Sequence, residues 1–95
     1  MKLPLRFEMT ITQADFRRLL PAAVNHVLFI EEDGTFVHED GVRGWRIGFA
    51  PLPQLRIGLI RLERHQVDFK FTGYSAEEIA DFMARFEQHF RRGGG

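Results

Sequence analysis

The apolar period of the chain changes at Gly73-Tyr74-Ser75. Upstream, Val67, Phe69 and Phe71 alternate with polar residues and point to one side of a strand. Downstream, Ile79, Phe82, Met83, Phe86 and Phe90 recur every three or four residues and form one stripe of a helix. A strand that feeds such a helix has to be part of a sheet that the stripe can cover. This constraint sets the expected class as α+β and leaves the chemistry open.

Size and composition narrow the functional classes. A chain of 95 residues builds one core, so residues 1–92 are read as a single α+β domain and 93–95 as a flexible glycine tail. Lys+Arg and Asp+Glu each number 13, so the net charge is zero. That balance argues against general nucleic-acid binding, which draws on a basic excess. Eleven of the 13 cations are Arg, a residue suited to bidentate carboxylate or phosphate contacts. There is no Cys, which excludes disulfides, thiol catalysis and thiolate zinc sites. No apolar run is long enough to span a bilayer and Met1–Arg6 has no apolar leader core, so the expectation is a cytoplasmic protein with no membrane partner.

Read along the chain, Leu5, Phe7, Met9 and Ile11 alternate with polar residues as a half-buried strand. Thr12 is an N-cap for a helix over 13–20, with Pro21 expected to break it or leave a short extra turn through Val24. Residues 27–30 read as a short strand, 31–34 as a turn, and 35–38 as a returning strand. Asp40-Gly41 is a second turn. Trp45, Ile47 and Phe49 then alternate in a further strand. Pro51-Leu52-Pro53-Gln54 reads as a loop, because two of its amides lack N–H groups. Leu55, Ile57 and Leu59 alternate again, a bulge or strand end is expected at 60–62, and Glu63-Arg64-His65 reads as the turn into Val67. The last helix has the clearest signals: a Ser75/Glu78 capping box, Glu77 and Glu78 at its start, Arg91 and Arg92 at its end, and Gly93 as a stop.

The expected order is therefore strand, helix, four or five strands, helix. It makes an antiparallel sheet of five to six strands with both helices on one face. This order resembles one repeat of the TATA-box-binding-protein fold. The resemblance is one of topology, rests on no signature residues and implies no function.

Three sets of residues could carry function. If the apolar set Trp45 to Phe71, with Leu55, Ile57 and Leu59, faces the helices, then Arg46, Gly48, Arg56 and Gly58 lie together on the uncovered face. Glycine inside a strand marks close approach of a ligand or another backbone, and two flanking arginines would make such a groove anion- or strand-binding. The four His residues show no metal-ligand spacing, and the acids at 31–33 and 39–40 could crowd one hairpin end without forming a calcium loop, so no metal is expected. Ser75 is the only serine and serves as a cap, so no catalytic residue is assigned and no cofactor motif is found.

The third set is the tail, Arg91-Arg92-Gly93-Gly94-Gly95. It resembles the end of ubiquitin-like proteins and sulfur carriers, which also finish in Gly-Gly. The resemblance implies activation of the terminal carboxylate by an adenylating enzyme, with Gly94 and Gly95 threading its channel. In those proteins the tail follows a strand, whereas here it follows a helix.

The sequence thus favours a non-enzymatic protein-binding or assembly module with a protein partner or a second copy on the free sheet face. The alternatives are a carrier activated at its C-terminal Gly-Gly, or anion or nucleic-acid binding on the same face.

Overall fold

The structure is a computed structural model and describes residues 5–93. Its order is β1 (Arg6–Met9), α1 (Gln13–Ala23), β2 (Ile30–Glu32), β3 (Thr35–Asp40), β4 (Arg43–Ile57), β5 (Ile60–Thr72) and α2 (Ala76–Gly93). The five strands form one antiparallel sheet in the order β1-β5-β4-β3-β2. The chain is α+β, as the period change requires, and four strands rather than five separate the helices.

Both helices pack on the face that carries Trp45, Ile47, Phe49, Val67 and Phe69. Phe16 of α1 is fully buried, 4.1 Å from Phe49 and 5.0 Å from Phe90 between ring centroids. Phe86 of α2 meets Phe69 edge-on at 4.9 Å. Interlocked rings of this kind add about 0.5–1.5 kcal/mol per pair beyond area burial. They make the two apolar stripes and one sheet face a single core.

The local chemistry explains most boundaries. Thr12 Oγ1 accepts from the Asp15 amide at 3.1 Å and starts α1. The helix runs three residues beyond the expected break at Leu20, because Pro21 removes one bond near the helix end while Leu20 and Ala23 stay fully buried. It closes in a Schellman arrangement: the His26 amide donates to the Pro21 carbonyl at 2.8 Å and the Asn25 amide to that of Ala22 at 3.2 Å, with Asn25 at φ 58°. That exit sends Val27 and Phe29 onto the core as loop residues, so the strand expected at 27–30 begins only at Ile30. Glu31 and Glu32 are strand, not turn. Arg17 explains the first, since its Nε and Nη2 clamp the Glu31 carboxylate at 3.0 and 2.6 Å. The turn itself is Asp33-Gly34, both at positive φ (48° and 77°), the type I′ pattern. Asp40 likewise ends β3, and the next turn is Gly41-Val42.

Two expectations fail together in β4 and β5. Residues 51–54 are not a loop, and 63–65 are not a turn. Both belong to one long hairpin whose turn is Gly58-Leu59, with Gly58 at φ 60° as a II′ turn requires. The irregularity lies opposite the place expected: Leu52 pairs with Arg64 but Leu55 with Leu62, so β4 holds one extra residue at Pro53-Gln54. Prolines are tolerated there because a bulge and an edge position need no ladder N–H. β3 accompanies β4 only to Gly48, and β1 accompanies β5 only to His65. Residues 51–64 therefore leave the body as a two-stranded arm, and the molecule is 47 Å long against 27 and 21 Å across.

Candidate binding surface

The helix-free face of the sheet is built by register. One row runs Thr35, Gly48, Asp68, Arg6, and the next runs Val37, Arg46, Lys70. Thr35, Arg46, Gly48, Asp68 and Lys70 line an open depression. Gly48 has the role its position in a strand implies, but the group that approaches belongs to the same chain. A Cβ at Gly48 would stand 2.2 Å from Asp68 Oδ1, so the glycine lets that carboxylate lie across the strand. None of the ion pairs among the described residues engages Arg46 or Lys70, which face each other across β4 and β5.

The bulge decides what lies beyond this floor. A strand's side chains alternate between faces, so one inserted residue moves everything after it to the other face. Before the bulge the outward residues of β4 are Gly44, Arg46, Gly48, Ala50 and Leu52. After it they are Leu55 and Ile57, opposite Leu62 and Ile60 of β5. Leu55, Ile57 and Leu59 were expected to face the helices. They are instead 38, 56 and 103% exposed, and Ile60 is 58% exposed. Arg56 moves the opposite way and sits across from Arg61 on the helix side of the arm.

The four residues that the sequence groups are thus divided by the structure. Arg46 and Gly48 share the floor of the outer face. Arg56 lies on the arm's other side, and Gly58 is at its tip, where an added Cβ would meet nothing within 4 Å. Gly94 and Gly95 lie outside the described residues. The acids at 31–33 and 39–40 do not gather at one hairpin end, because β3 spans the distance between the two turns. Among the described residues no group of His, Asp and Glu has the spacing to hold a metal ion. No helix there is long and apolar enough to cross a membrane.

The feature that pattern reading misses is the outward apolar tile of Leu55, Ile57, Ile60 and Leu62. Its signal is present in the two prolines. Pro51 and Pro53 two apart in an otherwise apolar-alternating stretch mark a bulge as well as they mark a loop.

Compared with family models, with curated proteins and with solved structures, the chain matches none.

Proposed function

We propose that this protein is a binding or assembly module that engages another protein through the helix-free sheet face and its arm. One observation carries the reading: four large aliphatic side chains, Leu55, Ile57, Leu59 and Ile60, stand 38–103% exposed on one arm. Single exposed aliphatics are ordinary, but a contiguous set is a contact surface. A two-stranded ribbon is also marginal by itself in water, so a covered arm is the more stable state. Arg46 and Lys70 at the floor of the face add charged rim contacts that set orientation more than affinity.

Site-specific photocrosslinking in the native host tests this reading. A photoreactive residue at Arg46 or Ile57 is expected to give a discrete protein adduct. The same residue at Ala84 or Gln88, exposed on α2, is expected to give none. Equal labelling from both faces, or no adduct from the sheet face, would count against it.

A further inference from the structure

β5 has an unpaired backbone edge in the arm, and we infer that an extended segment of a partner protein adds to it as a further strand. The segment runs antiparallel to residues 60–63, with apolar side chains on the outer face and an acid opposite Arg61. This rests on the reading of the arm as a protein-binding surface and names the form and chemistry of the partner.

The ladder shows which groups are free. In an antiparallel sheet the N–H and C=O of successive residues point to opposite neighbours. The Phe69 amide donates to the carbonyl of Leu5, just before β1, at 2.8 Å, so the odd-numbered residues of β5 are aimed at the β1 side. β1 stops at Met9, opposite His65. Beyond it Arg61 and Glu63 aim the same groups outward with no strand beside them. No turn, loop or cap bond among the described residues engages their backbone, and both residues are exposed. The even-numbered residues face β4, where Leu62 pairs with Leu55 and Ile60 with Ile57. A strand that docks on the free edge therefore takes nothing from the existing hairpin.

The arm's other edge is closed. The Phe49 amide donates to the Gly34 carbonyl at 2.8 Å, which places the odd-numbered amides of β4 on the β3 side. The next odd position is Pro51, which has no N–H to offer. Pro53 and the bulge follow and break the row. Prolines and bulges are devices that keep a bare edge from pairing. The run Ile60-Arg61-Leu62-Glu63 contains neither, so one edge of the arm is protected and the other is open.

Side chains set the partner's pattern. Ile60 and Leu62 lie on the outer face, and Arg61 and Glu63 on the helix side. A strand laid along them alternates in the same phase, so it meets apolar groups on one side and charges on the other. Arg61 stands directly opposite Arg56, and neither joins an ion pair among the described residues. Like charges directly opposed across a ribbon are unfavourable, and an acid on the incoming strand beside Arg61 offsets them. Glu63, two residues on and on the same side, pairs with a cation. Read antiparallel to β5, the partner motif is cation, apolar, acid, apolar. β1 closes the slot at His65, so the motif is short and its chain turns away there.

Titrating isotope-labelled protein with synthetic peptides, followed by nuclear magnetic resonance, tests the inference. The probe carries Lys-Val-Glu-Val at its centre, and its control carries Glu-Val-Lys-Val. The probe is expected to bind with Kd on the order of 0.1–1 mM and to slow amide exchange at Arg61 and Glu63. The control is expected to bind at least about fivefold more weakly. Arg61→Glu combined with Glu63→Lys is expected to reverse that preference. Glu63→Pro removes an outward N–H, as Pro51 does on the other edge, and is expected to abolish binding with the circular dichroism spectrum retained. A probe N-methylated at its glutamate loses the matching donor and is expected to fail on the unaltered protein. Equal binding of probe and control would overturn the charge pattern. Binding indifferent to both Glu63→Pro and the N-methyl group would overturn strand addition. No binding of the probe, or self-association in sedimentation velocity that Glu63→Pro removes, would overturn a partner segment as the occupant. In any of these cases an adduct from Arg46 or Ile57 in the host leaves the protein-binding reading standing, and the absence of adducts removes it too.

Discussion

His65 shows how much one side chain can be asked to do at the junction of body and arm. It is the only buried polar residue among those described, 6% exposed. Its ring stacks on Phe49 at 4.0 Å between centroids, and Nδ1–H donates to the Ile11 carbonyl at 2.8 Å, which also fixes its tautomer. The stack and the hydrogen bond can be separated by mutation. His65→Phe retains an aromatic ring on Phe49 but leaves a buried carbonyl without its donor, and is expected to cost about 1–3 kcal/mol. His65→Ala removes both and leaves a cavity, at about 2–4 kcal/mol. Urea unfolding of the two variants measures each value, and equal losses would show that the ring packing contributes nothing. Gly48 makes the opposite point. Its missing Cβ accommodates the end of a flexible Asp68 side chain, which can rotate away, so nothing in the backbone depends on it.

At the scale of elements, capping decides more than propensity does. In α2 the box is complete: the Ser75 amide donates to Glu78 Oε1 at 2.8 Å, and the Glu78 amide to Ser75 Oγ at 3.1 Å. Arg43 reaches the same carboxylate at 2.8 Å and stacks over Tyr74 at 4.3 Å, which ties the start of α2 to the β3–β4 hairpin. The Ser75 amide, and then the Arg43 charge, hold the Glu78 carboxyl below its ordinary value of 4.5. A carboxyl depressed on folding binds fewer protons in the native state than in the unfolded one. Its stabilisation is therefore present above pH 4.5 and is lost as the pH falls through the lower native value. Thermal melts of the parent and Glu78→Gln are expected to differ at neutral pH and to converge in acid; a gap that stays constant with pH would refute this assignment. Such caps were legible in the sequence because they are local: Ser75 and Glu78 stand three residues apart, as do Thr12 and Asp15. The exit of α1 was harder to read. Asn25 signals a left-handed cap, but Pro21 is the louder local signal, and burial of Leu20 and Ala23 overrode it.

At the scale of the molecule, the arm and the body obey different rules, and this is where pattern reading ran out. Inward alternation was legible from Trp45 to Phe49 and from Val67 to Phe71 because two helices and three neighbouring strands enforce it. Alternation of Leu55, Ile57 and Leu59 looks identical in sequence, yet no helix covers them. Their phase depends on one extra residue at Pro53-Gln54, and a one-residue shift inverts every face after it. For the same reason Arg46 and Arg56 are equivalent in pattern and lie on opposite sides in space. The core cluster, from Ile11 to Phe90, includes none of the residues between Phe49 and Val67. Arm and body should therefore be energetically separable. Replacing residues 53–63 by a two-residue Asn-Gly turn joins Leu52 to Arg64, its partner in the ladder, and removes the bulge, the tile and the tip arginines together, while His65 keeps its place. Surface changes away from the core fall within about 0.5 kcal/mol, so the melting temperature of this short-armed chain should move by only a few degrees. The adduct expected from a photoreactive residue at Arg46 should vanish. A large loss of stability would mean that the arm is part of the fold. A stable protein that no longer associates would leave the arm one purpose, contact with another molecule, and would locate that purpose beyond the bulge.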